Sequence, residues 1–218
     1  MNSTLNSWQP RLVALACADQ HTDGAHDIEH LHRVWRNAAM LLPDYPEADA
    51  LVVLAACYLH DLVNLAKNDP ERHLASRRAA ALATQRLAEL DFPPSKLAAV
   101  AHAIETHSFS AAIAPQTIEA QIVQDADRLD ALGAVGLARL FYIAGRMGSA
   151  LAHGDDPLAL ARTRDDKRYA LDHIDTKLAT LPGTMQTAAG QRLGQQRFAE
   201  LVAFRDRFVS EWSGAPAA

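Results

Sequence analysis

The stretch Leu51-Val52-Val53-Leu54-Ala55-Ala56-Cys57-Tyr58-Leu59-His60-Asp61-Leu62 decides the fold. From Leu51 to Leu59 it is apolar without interruption and shows no alternation, so it reads as a helix buried on all sides. It is far too short to cross a bilayer. His60 and Asp61 close it. A charge left unpaired beside buried apolar surface is expensive, so the two side chains need a common partner. A divalent metal is one, because neutral imidazole and carboxylate are both ligands of first-row metals. Successive helical residues point about 100° apart, which lets one ion near the helix end take both. The plainer reading makes Asp61 a cap and His60 a core histidine, and the dipeptide alone does not choose between them.

Two further segments bear on that choice. His26-Asp27-Ile28-Glu29-His30-Leu31-His32-Arg33-Val34 lies upstream, and Asp125-Ala126-Asp127-Arg128-Leu129-Asp130-Ala131 lies downstream. A histidine on one helix, a His-Asp pair on a second and an aspartate on a later one form an H…HD…D pattern. In this the chain resembles the HD-domain superfamily of metal-dependent phosphohydrolases, in its small single-domain bacterial branch. His30-x-x-Arg33-Val34 resembles the first ligand motif, His60-Asp61 the pair that names the family, and Ala126-Asp127-x-Leu129 the last. The likeness runs over about residues 8 to 212.

The resemblance implies an all-α, single-domain helical bundle spanning residues 1–218, and the small residues over 213–218 read as a disordered tail. It implies four metal ligands, His30, His60, Asp61 and Asp127. Two nitrogens and two oxygens are not the thiolate-rich set of a structural zinc site. They suit a six-coordinate ion with two open positions: manganese first, with iron, cobalt, nickel and magnesium as alternatives. Asp127 is chosen over Asp125 by its place in the motif, and Asp125 is expected to be solvated or paired. Asp130 shares a helix face with Asp127 and becomes a candidate, with Asp61, for orienting a water.

His107 stands twenty residues before Asp127, where two-metal relatives carry a histidine. It is read as opening a loop and as a catalytic or phosphate-contacting group, with a second metal as the alternative. Lys67 and His26 are candidate substrate contacts. Asp27 is read as a helix cap, His32 as structural or exposed, and His73 as solvated. His102 is not paired with His107. Nucleotidase relatives place a catalytic Glu three residues after the Asp of the pair, and this chain has Asn64 there.

Composition sets the outer bounds. The chain has 218 residues, 49% hydrophobic and 22% charged, enough for a substantial core. A net charge of −5 argues against binding a nucleic-acid polymer but not against a small phosphorylated substrate, a nucleotide above all. Cys17 and Cys57 read as buried thiols. With no signal-like segment or membrane span, cytoplasmic residence is the default. A homodimer is left open.

Helices are expected over 6–18, 28–42, 46–62, 70–90, 95–106, 118–131, from Gly136 to about 150, 165–181 and 184–212. A flexible loop or lid is expected around His153-Gly154-Asp155-Asp156-Pro157, and no strand. The reading that follows is hydrolysis of a nucleoside triphosphate to release pyrophosphate. Its rivals are a di-iron oxygenase, with His73 and His107 on a second iron, and a non-catalytic metal- and nucleotide-binding regulatory domain.

Overall fold

A computed structural model of the chain describes residues 3–18, 28–63, 65, 69–108 and 111–214. His26, Asp27, Asn64 and Lys67 lie outside the described residues, as do 215–218 of the tail. The chain divides into two compact units, Met1–Asp127 and Arg128–Ala218.

In the first unit run α1 (Ser3–Ala18), α2 (Ile28–Leu41), α3 (Ala50–Leu59), α4 (Ala75–Glu89), α5 (Leu97–His107) and most of α6 (Ile118–Asp130). The axis is α3. Every residue from Leu51 to His60 is buried, and α1, α2, α4 and α5 all pack against it. A helix apolar on every face can exist only with neighbours on every face. α3 starts at Ala50, not at Pro46. Asp49 is the reason: its carboxylate accepts from the amides of Leu51 (3.1 Å) and Val52, an N-cap that proline cannot provide. Glu119 on α6 accepts from the Asp49 amide at 2.9 Å, and Lys96 pairs with the Asp49 carboxylate.

α2 buries His30, Leu31, Val34, Asn37, Ala38 and Leu41 as one stripe, while Trp35 lies half out of it. α4 offers Ala79, Ala80 and Ala83 to its neighbours, and side chains this small let α5 come close. α4 is shorter than expected, because a 3-10 turn, Arg72–Leu74, takes up its first residues. Cys57 is buried but Cys17 is exposed, and both are free thiols. Burial, aided by the negative charge of Asp127, pushes the Cys57 thiol well above its ordinary range.

The second unit holds α7 (Gly133–Arg146), α8 (Asp172–Thr176), α9 (Leu181–Thr184) and α10 (Ala188–Trp212). Phe141 of α7 sits against Phe204 and Phe208 of α10, with ring centroids 5.8 and 6.3 Å apart. The helix expected over 165–181 is broken up: its first half is turns, and its second half is the short α8 followed by a 3-10 turn, Leu178–Thr180. Asp165 and Asp172 spend their carboxylates on local backbone and on Arg162 instead: Asp165 accepts from the amides of Lys167 and Arg168, and Asp172 from the Asp165 amide. Arg162 grips Asp172 bidentately at 2.6 and 2.7 Å. Burial alone would raise the Asp172 carboxyl, but that grip holds it below the usual carboxylate range. Pro182 and Gly183 fall inside α9 rather than between two long helices.

The expected lid is also tied down. Asp156 accepts from the amides of Leu160 and Ala161 at 2.9 Å, and His153 Nδ1 accepts from the Asp156 amide at 3.1 Å. Among the described residues there is no strand, only an isolated bridge between Ala150 and Tyr169. No helix among them is long and apolar enough to cross a membrane. The all-α reading stands.

Two glycines of α7 give opposite expectations. A Cβ at Gly136 would lie 2.2 Å from the backbone C and O of Ala131, whereas one at Gly145 meets nothing within 4 Å. Chemical denaturation should show Gly136→Ala destabilised by about 3 kcal/mol or more, and Gly145→Ala stabilised by about 0.5–1 kcal/mol. Equal effects would contradict the packing at Ala131.

Candidate metal centre

Four helices of the first unit deliver five side chains to one place. His30 comes from the first turn of α2, and His60 is the C-cap of α3 with Asp61 next to it. His107 is the last residue of α5, and Asp127 lies near the end of α6. His30 Nε2 lies 3.7 Å from Asp61 Oδ2 and 3.5 Å from Asp127 Oδ1. His60 Nε2 lies 3.6 Å from Asp61 Oδ2 and 3.8 Å from Asp127 Oδ1. His107 Nε2 lies 3.8 Å from the other oxygen of Asp61, Oδ1.

The ends of α3 and α5 explain how the rings are aimed. The last carbonyls of a helix have no partner within it. His60 Nδ1 donates to the Cys57 carbonyl at 3.0 Å, and His107 Nδ1 donates to the Ile104 carbonyl at 2.6 Å. A carbonyl can only accept, so Nδ1 carries the hydrogen in each ring. The neutral ring then presents a lone pair at Nε2. Both lone pairs face the carboxylates. The histidines are buried, while the Asp61 and Asp127 side chains keep 21% and 29% of their surface exposed. The centre is thus dry on its nitrogen side and reachable on its oxygen side. Burial holds the His107 ring below the ordinary histidine range, and the neighbouring His60 adds to this.

The donor set fits a divalent ion. The separations of 3.5–3.8 Å exceed a hydrogen bond. They fall within the roughly 3–4.4 Å that separates two ligands of one first-row ion. His60 Nε2 is buried and has no hydrogen-bond partner, an arrangement that costs stability unless something accepts its lone pair. Two sets of donor atoms, His30-His60-Asp61 and His60-His107-Asp127, each lie within 4.8 Å of one another.

The other expected residues fall elsewhere or in different surroundings. His107 does not open a loop: it ends α5, is only 8% exposed, and sits ring to ring with His60 at 4.7 Å. Asp125 is fully buried, not solvated. Asp130 is buried and paired with Arg139. His73 is exposed, bonded to the Pro70 carbonyl, and belongs to no donor cluster among the described residues. His32 binds the Tyr58 hydroxyl at 2.8 Å, and His102 accepts from the Gln116 amide at 2.9 Å, so both act as struts. Sequence reasoning missed Gln124. Its only signal was a polar residue three positions before Asp127 on the same helix.

The fold and this cluster define an all-α protein whose buried histidines and half-exposed aspartates could hold a divalent cation. The HD-domain family model matches residues 27–132, a span that contains all five side chains. The Bacillus subtilis protein YpgQ is 32% identical over 183 residues, covering 82% of this chain and 80% of its own length. The structure of YpgQ in complex with ADP superposes with a TM-score of 0.73 and 27% identity, over 95% of this chain and 96% of that one. An HD-superfamily hydrolase from Bacillus thuringiensis gives a TM-score of 0.74 and 26% identity, over 96% and 98%. A Lactobacillus plantarum protein gives 0.71 and 30%, over 98% and 99%. The chain belongs to the HD-domain superfamily, and it is a metal-dependent hydrolase of the HD type.

An ion held by residues of four helices should stabilise the native chain by mass action. At a hundred times its Kd it contributes about 2.7 kcal/mol, or roughly 5–10 °C in a chain of this size. Scanning calorimetry should show EDTA lowering the melting temperature and Mn²⁺ restoring it. His60→Ala should abolish the response. An untreated protein whose melting is indifferent to both reagents would contradict the centre.

Proposed function

We propose that this hydrolase is a phosphohydrolase of nucleotides that cleaves nucleoside triphosphates with release of pyrophosphate. The observation that carries the reading is the convergence of His30, His60, Asp61 and Asp127. A relative of similar length, YpgQ, forms a complex with ADP, which supports a nucleotide. In this reading the four residues hold a divalent ion, manganese by preference. When bound, the ion supplies a Lewis acid for a phosphoryl oxygen and makes a nearby water more acidic.

The remaining work falls to side chains. Asp61 directs Oδ2 at His30 and His60 and Oδ1 at His107, so one carboxylate can serve two purposes. Oδ2, beside the His30 and His60 nitrogens, would be the oxygen that holds the ion. Oδ1 and the His107 lone pair, 3.8 Å apart, orient the attacking water and take its proton. His107 acts here by its lone pair: Nδ1 is committed to the Ile104 carbonyl, and burial disfavours the charged ring that would offer a phosphate positive charge. Asp130, gripped by Arg139, supports the end of α6 in this scheme. His26 and Lys67 are proposed to contact the substrate from outside the described segments.

The leaving group argues for a triphosphate over a monophosphate. Asn64 stands where nucleotidase relatives carry an acid, and an amide has no proton to give. A nucleoside monophosphate would have to expel a basic sugar oxygen without help. A triphosphate cut to release pyrophosphate expels a weakly basic phosphate oxygen, which leaves without a general acid.

The test is a nucleotide panel with Mn²⁺, with phosphate and pyrophosphate measured separately. Triphosphates should yield pyrophosphate, and monophosphates should be inert. Asp127→Asn should cost at least about a hundred-fold in kcat. His107→Ala should lower kcat by roughly ten- to thousand-fold with little change in KM. Nucleotide binding without turnover across the panel would favour the regulatory domain, and iron-dependent oxygen uptake would favour the oxygenase.

A further inference from the structure

Two buried amides tie α6, the helix of Asp127, to the helices of two histidines. Asn37 lies two turns after His30 on the same buried face of α2 and is 4% exposed. Its Nδ2 donates to the carbonyl of Ala126 at 3.0 Å. Gln124 lies one turn before Asp127 and is 3% exposed. Its Nε2 donates to the carbonyl of Thr106 at 2.6 Å. Ala126 and Thr106 immediately precede Asp127 and His107.

Each bond has a cost that packing alone does not justify. A buried amide must find partners or lose its hydration for nothing, and leucine would fill either position. Gln124 Oε1 is in fact buried without a hydrogen-bond partner. What the amides add is direction. Apolar helix faces slide past one another over a few tenths of an ångström at small cost, whereas an amide-to-carbonyl bond fixes distance and angle. Thr106 lies in the last turn of α5, where carbonyls lack helical partners, so Gln124 also closes that helix end.

We infer that Asn37 and Gln124 are positioning residues of the metal centre: they fix Asp127 in height against His30 and His107. The inference rests on the reading that the cluster holds a divalent ion.

Cobalt(II) is the probe, since its visible d–d absorption reports ligand geometry without turnover. The metal-stripped full chain is titrated with Co²⁺, recording both affinity and spectrum. Gln124→Met and Asn37→Leu keep volume and remove the donor. Each should weaken Co²⁺ binding by about ten- to hundred-fold and alter the d–d bands. Leu87→Ala, a core truncation on α4, which supplies none of the five side chains, should lower the melting temperature and leave affinity and spectrum as in wild type. Variants that bind Co²⁺ with wild-type affinity and spectrum overturn the inference, even if they melt earlier. Should Gln124→Met fail to fold, Asn37→Leu carries the same test. Unfolded protein from both assigns the amides to the fold and overturns the inference as well. Failure of the wild type to take up Co²⁺ refutes the metal centre itself and is distinguishable from these outcomes.

Discussion

A helix that is apolar on every side must end somewhere, and the way α3 ends governs the rest of the molecule. Its last carbonyls face a dry interior where water cannot satisfy them. His60 meets one of them through Nδ1, and in doing so commits its other nitrogen to the interior as a lone pair. α5 ends the same way, with His107 on the Ile104 carbonyl. A requirement of backbone hydrogen bonding is thereby converted into two aimed metal-type donors.

The same arrangement creates an electrostatic demand. Two carboxylates stand within 4 Å of the Nε2 atoms of three histidines, two of which already donate from Nδ1 to a helix-end carbonyl. Two helix C-termini add partial negative charge at the same place. Together these favour a cation strongly, and a net negative chain is no obstacle to a phosphate substrate once that cation is bound. The buried Cys57 thiol is pushed toward its protonated form by burial and by Asp127, and it belongs to neither donor group among the described residues.

Distributing the donors over α2, α3, α5 and α6 makes precision a problem of helix register. Apolar contacts hold those helices together but define their heights loosely. The polar struts between them, Asn37 to Ala126, Gln124 to Thr106, Glu119 to Asp49 and His32 to Tyr58, supply the missing definition. None of these residues is part of the donor cluster, and each joins a helix of that cluster to another.

By itself the sequence determined the helical class, because its apolar periodicities are helical and one run is apolar throughout. It also brought out the order and spacing of His30, His60, Asp61 and Asp127, since motif spacing is a property of the chain. Boundaries were legible only where no side chain could compete for the backbone. Asp49 moved the start of α3, and Asp165 with Asp172 cut the first half from an expected helix, because a carboxylate that captures amides is invisible to periodicity. Tertiary structure alone decided that His107 ends a helix beside His60 and that Asp125 is buried. It alone gave Asp61 oxygens facing different histidines, and gave Gln124 a partner eighteen residues away. Those facts depend on which helices touch and at what height, and neighbours along a chain carry no record of that.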